Sequence, residues 1–215
     1  MEDQEINIIN NETRKERIKL FLLKHRYKII SFFLTIILLL LLYFGYNSYK
    51  LSEKEQIADK FNLATLDYEK NNSSEVNQIM KDIVNTKDKT YSPLALYFII
   101  ENNLENSLEE MNNLFDVIIN ETDLTKDMKY LNIYKKAVFN ANFVEENKIL
   151  EILDPLFQKE NIWQSHSYYL LAEYYFSKDE MTKSKEFFDK ILSMNLTNSE
   201  IRIEAQKRLQ RDFSD

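Results

Sequence analysis

Apolar residues fall into two regimes along this chain. From Ile29 to Tyr46 they run together without a charge, as "IISFFLTIILLLLLYFGY". From residue 50 onward they recur at steps of three and four, broken by short polar clusters. The first regime predicts a spanning helix over 29–46, roughly 27 Å long, close to the ~30 Å hydrocarbon core of a bilayer. The second predicts amphipathic helices near 53–70, 74–86, 93–105, 107–120, 126–142, 145–158, 162–177, 180–194 and 199–212. Ser92 reads as an N-cap with Pro93 at the first helical position, and Asp179 as an N-cap with Glu180 in the first turn. Pro155 is expected to kink or end its helix. No stretch alternates cleanly enough to be a strand.

Charge orients the span. Arg14, Lys15, Arg17, Lys19, Lys24, Arg26 and Lys28 precede it, whereas Lys50, Lys54 and Lys60 beyond it are offset by Glu53, Glu55 and Asp59. The positive-inside rule puts the N-terminus in the cytoplasm and the C-terminal portion outside, the periplasm of a two-membrane bacterium. A cleaved signal peptide would have a shorter apolar region and small residues at a cleavage site, and "YFGYNSYKLSEKE" offers none. The expected layout is a basic cytoplasmic segment over 1–28, a signal anchor over 29–46 in the inner membrane, and a periplasmic domain over 50–215. The chain is −7 overall and +2 over its first 49 residues, which leaves −9 for residues 50–215.

Helices joined by two to eight residues imply consecutive pairs, with about four pairs and a terminal capping helix around Ile201, Ala205 and Leu209. Residues 165–196 fit the tetratricopeptide register of two helices per ~34 residues. Tyr168, Leu171, Ala172 and Tyr175 take the places of the first helix, and Ser184 and Phe188 those of the second. Ile191 replaces the usual Ala, and Leu196 stands where Pro is common. Counting back from Ala172, Ala137, Ala95 and Ala64 follow at intervals of 35, 42 and 31, and the polar link "NETDLTKD" explains the longest. The fold class is therefore all-α: a membrane helix followed by a tetratricopeptide-like solenoid.

On a helical wheel, Tyr168, Leu171, Ala172 and Tyr175 form a packing stripe. Tyr169, Glu173 and Phe176 form a second arc that lines the concave groove of such arrays, with His166 beside it and Tyr174 toward the next unit. The equivalent positions one unit earlier are Leu131, Tyr134, Val138 and Ala141. Tyr134, Val138, His166, Tyr169, Glu173 and Phe176 are thus the expected lining for extended apolar or aromatic peptide segments. Trp163 reads as a staple at a helix entrance. The competing reading has these aromatics packed against neighbouring helices.

Composition narrows the chemistry. One Gly leaves nothing for phosphate-cradling loops, and zero Cys excludes disulfides and thiolate sites. His25 and His166 are too far apart to make a metal site on their own. The acidic balance argues against nucleic acid, and no carboxylate pair or nucleophile arrangement supports catalysis, a cofactor or a small-molecule substrate. The abundant Asn, scattered rather than in tracts, reads as nucleotide-composition bias.

The layout resembles the YfgM-like family, single-pass tetratricopeptide proteins of Gram-negative bacteria that act as ancillary subunits of the Sec translocon. The resemblance lies in the basic N-terminus, the single span, "KTYSPLALYFI" (89–99) and "WQSHSYYLLAEYYFSKDEMTKSKEFFDKIL" (163–192). The family's turn Gly is missing before Glu180, and Ser184 replaces its Ala. The resemblance implies a non-enzymatic role in protein export or folding, with the SecYEG translocon, periplasmic chaperones and exported polypeptides as partners. A scaffold for envelope assembly, or an accessory subunit of an envelope enzyme, would use the same architecture without client contact.

Overall fold

A computed structural model describes residues 2–68 and 73–213. The chain divides into two compact units, Met1–Gln56 and Ile57–Asp215. The first helix, α1 (Glu2–Tyr68), runs unbroken through the apolar segment. A separate helix near 53–70 was expected, but the linking residues hold no Pro. A lone Gly45 costs about 1 kcal/mol in a helix interior, too little to end a long one. The segment's mean hydropathy reaches 2.5 with none of its residues buried, so this helix is long and apolar enough to cross a membrane. Thr35 returns its hydroxyl to the Ser31 carbonyl at 2.9 Å, which removes one polar group from an otherwise apolar surface.

The second unit is all-helical among its described residues. It holds α2 (Ser73–Asn85), α3 (Tyr91–Glu101), α4 (Leu108–Asp116), α5 (Lys126–Asn140), α6 (Glu146–Phe157), α7 (Trp163–Ser177), α8 (Met181–Ser193) and α9 (Ser199–Asp212). A π-helical turn, Val117–Glu121, extends α4, and the Thr122 hydroxyl closes it on the Val117 carbonyl at 3.2 Å. Successive helices pack on each other, most extensively α2 with α3, α5 with α6, and α7 with α8. Ala64, Ala95, Ala137, Ala172 and Ala205 sit one on each odd-numbered helix, and none is more than 1% exposed. A methyl group at each position lets a neighbouring backbone approach closely. The Ser184 hydroxyl, buried opposite Ala172, donates to its carbonyl at 2.8 Å.

The termini of the helices correct four expectations. Ser92 is not a cap: it lies inside α3, fully buried, and donates to the Ile83 carbonyl at 2.8 Å. Asp88 does the capping, accepting from the Thr90 and Tyr91 amides at 2.8 and 2.7 Å. Asp179 does not open α8 but closes α7, in the left-handed region at φ 61°. Its amide and that of Glu180 donate to the carbonyls of Phe176 and Tyr175 at 3.1 and 3.0 Å, a Schellman closure. Asn103 (φ 49°) closes α3 in the same way, four residues before the expected end at 105 is complete. Pro155 neither ends nor stops α6, which continues to Phe157, because its missing amide falls on the exposed side of the last turns.

Glycine normally occupies such left-handed positions, where a Cβ costs roughly 1 kcal/mol. Asp179→Gly is therefore expected to stabilise the domain by about 0.5–1 kcal/mol. The check is the midpoint of denaturant unfolding followed by circular dichroism; a lowered midpoint would show that the Asp179 side chain contributes more than its backbone costs.

Candidate peptide-binding groove

Residues 131, 134, 135 and 138 of α5 recur at helical spacing and so share one face. With Ile100 of α3 and Phe139, they line an open cleft of about 360 Å³. Val138 is 44% exposed within it. The floor is held from behind by Tyr97, whose hydroxyl donates to the buried Asn132 at 2.9 Å, while Asn132 donates to the Met128 carbonyl. Burial pushes the Tyr97 hydroxyl up to about 12, against a smaller opposing effect of Asn132, so it stays a neutral donor. The Lys135 ammonium lies over the Tyr97 ring, 4.2 Å from its centroid.

On the α7 side, Tyr134 stacks on Trp163 with centroids 5.7 Å apart, and His166 meets both rings at 5.8 and 5.1 Å. Trp163 thus packs across to α5 instead of stapling its own helix. The entrance to α7 is fixed by Asn161, which accepts from the Trp163 amide at 2.9 Å and donates to the Leu156 carbonyl at 2.8 Å. The His166 ring completes this trio, with Nδ1 at 3.2 Å from the Ile162 carbonyl and, among the described residues, no carboxylate to orient it for proton transfer.

The six residues expected to line one groove therefore separate. Tyr134 and Val138 line the α5 cleft, and His166 lies beside it through the ring trio. Tyr169, Glu173 and Phe176 lie under α9 instead. Glu173 receives a two-pronged pair from Arg208, Nε at 2.7 Å and Nη2 at 2.8 Å. Arg208 also spreads over the Phe176 ring at 4.3 Å, and Phe213 meets Phe176 edge-on at 6.1 Å. Tyr169 packs edge-on against Phe188 at 5.5 Å. Burial first, and the neighbouring Glu173 second, push the Tyr169 hydroxyl up to about 12. The contacts of Glu173 and Phe176 with Arg208 and Phe213 put α9 over this arc of α7.

No family model, curated protein or solved structure matches this chain.

Of the packing stripe, Leu171, Ala172 and Tyr175 are buried, as are Ser184, Phe188 and Ile191 of α8. Tyr175 lies flat on Phe187, 5.4 Å between centroids, and donates to Glu146 at 2.6 Å. Tyr168 turns to α6 and stacks on Phe157 at 4.8 Å. Tyr174 faces the preceding hairpin, not the next one: its hydroxyl reaches the Val144 carbonyl at 3.2 Å. Ala141 joins the core cluster instead of the cleft. Ile100, Lys135 and Phe139 were not foreseen as lining, although Lys135 lies one turn beyond Leu131. Among the described residues, no group of three or more His, Cys, Asp or Glu is placed to hold a metal ion.

Proposed function

We propose that this chain is a membrane-anchored, tetratricopeptide-like protein of the bacterial envelope that holds exported polypeptides near the Sec translocon. The open apolar cleft on α5 carries this reading, because an exposed Val138 beside Tyr134 and Leu131 offers contact area that the fold itself does not use. The buried alanines on alternate helices, at intervals of 31, 42, 35 and 33 residues, support the repeat architecture. The basic flank before the span supports a cytoplasmic N-terminus and a periplasmic second unit. The cleft binds by shape and apolar contact, with no bond made or broken, so the role is non-enzymatic.

Two measurements test the reading. A reporter fused after Asp215 should be active only outside the cytoplasm; cytoplasmic activity overturns the topology. A photo-crosslinker at Val138 in the full chain should capture Sec components and nascent secreted chains. Capture restricted to envelope-assembly proteins would favour a scaffold instead.

A further inference from the structure

The α5 cleft is apolar except for one cation. Five of its lining residues, Ile100, Leu131, Tyr134, Val138 and Phe139, are uncharged, and Lys135 is the exception. It stands out because the domain around it is acidic, at −9 over residues 50–215. Other lysines of the domain have found carboxylates: Lys136, the next residue on α5, pairs with Asp116 at 2.8 Å, and Lys183 of α8 with Glu146 at 3.1 Å. Among the described residues no carboxylate pairs with Lys135, whose ammonium rests only on the Tyr97 ring. Lys126, Lys178 and Lys190 also lie over rings, but they are exposed, whereas Lys135 is half-buried. A half-buried cation forfeits part of its hydration, and an aromatic face offsets only some of that loss. A carboxylate brought to the cleft would offset the remainder. A second hollow of the unit, about 310 Å³ between the end of α1 and α2, has no such bias, since Lys60 shares it with Asp67 and Asp82.

We infer that the α5 cleft takes an extended apolar polypeptide segment bearing a carboxylate, which seats on Lys135. The inference rests on reading the cleft as a polypeptide site, and adds the sign of the ligand to it. An Asp or Glu side chain and a chain-terminal carboxylate present the same chemistry. Apolar side chains of the segment fill the hollow against Leu131, Val138 and Phe139. The carboxylate then approaches the face of the ammonium turned away from Tyr97.

The test uses the full chain in phosphatidylcholine nanodiscs and dansyl-labelled hexapeptides of Leu, Val and Phe. One carries a central Glu and an amidated end, one a central Gln and a free carboxylate, and one a central Gln and an amidated end. At least one carboxylate peptide should bind roughly tenfold tighter than the neutral one, as a charge-assisted contact gives. Which one gains identifies the source of the carboxylate. Lys135→Gln should abolish the preference for the carboxylate peptide over the neutral one, while Lys135→Arg should keep it. Raising salt should shrink the preference, as screening requires. If all three peptides bind alike, the inference fails and the cleft remains a polypeptide site. If none binds, both fail. A probe on V138C that responds to protein concentration without peptide assigns the cleft to a second copy and also overturns the inference.

Discussion

Replacing Phe188 by Ala is expected to cost about 3–5 kcal/mol and to free α9 before the rest of the domain unfolds. Phe188 is fully buried in a small cluster with Ala172, Ile191 and Ala205, apart from the main core. Its ring holds Tyr169 at 5.5 Å and Phe213 at 6.1 Å, and lies beneath the Arg208 guanidinium at 5.7 Å. The other fully buried members are two alanines and one isoleucine, while the larger side chains around them, Tyr169, Leu209 and Phe213, are only partly buried. They can fill part of the space, so the loss falls within the large-to-small range. In thermal unfolding the shift should be on the order of 10 °C for a domain of this size. Hydrogen exchange should show the amides of 199–212 opening first. A loss under about 1 kcal/mol, or unchanged protection in α9, would mean that the ion pair of Arg208 with Glu173 holds the helix without the ring.

Val138→Asp is expected to weaken peptide capture at least tenfold with little change in stability. The side chain is exposed on a helix, where substitutions typically move stability by about 0.5 kcal/mol. In the cleft the same change removes apolar contact area and sets a carboxylate one turn from Lys135. The paired control is Tyr169→Ala with Phe176→Ala. These rings lie under α9, so their loss should lower the melting temperature and leave capture intact. Calorimetry and peptide binding on the three proteins separate the two faces. Normal capture by Val138→Asp, or lost capture by the Tyr169 and Phe176 variants without destabilisation, would move the groove back to α7.

Much of the fold could be read from periodicity. The alanine series from Ala64 to Ala172 marked the odd-numbered helices correctly, and Ala205 extends it by one more interval. Such positions are legible because small size at a close backbone approach has no substitute. The ends of α3 and α7 were less legible, since Asn103 and Asp179 adopt a backbone that sequence normally announces with Gly. For Tyr169 and Phe176 the wheel fixed the direction of each ring. What lies over that face depends on how far a polar helix more than twenty residues later folds back, which local pattern does not record. Lys135 was missed for a related reason: a lysine on an amphipathic helix is assumed to face water, and only the Tyr97 ring behind it shows otherwise. The asparagines were the least legible, because a buried amide and a compositional one look identical in a sequence.

Those asparagines make the order of the helices difficult to scramble. Asn112 and Asn140 exchange side-chain amide hydrogen bonds at 3.0 and 2.9 Å between α4 and α5, and Tyr97 reaches Asn132 between α3 and α5. Hairpins built from the same Ile, Leu and Phe alphabet could stack in several sequences with similar apolar burial. Each wrong stacking would strand a buried amide or phenol, at about 1–3 kcal/mol apiece. The polar pairs act as keys cut differently for the two junctions of α5, with α3 and with α4, so that similar parts meet there in one order.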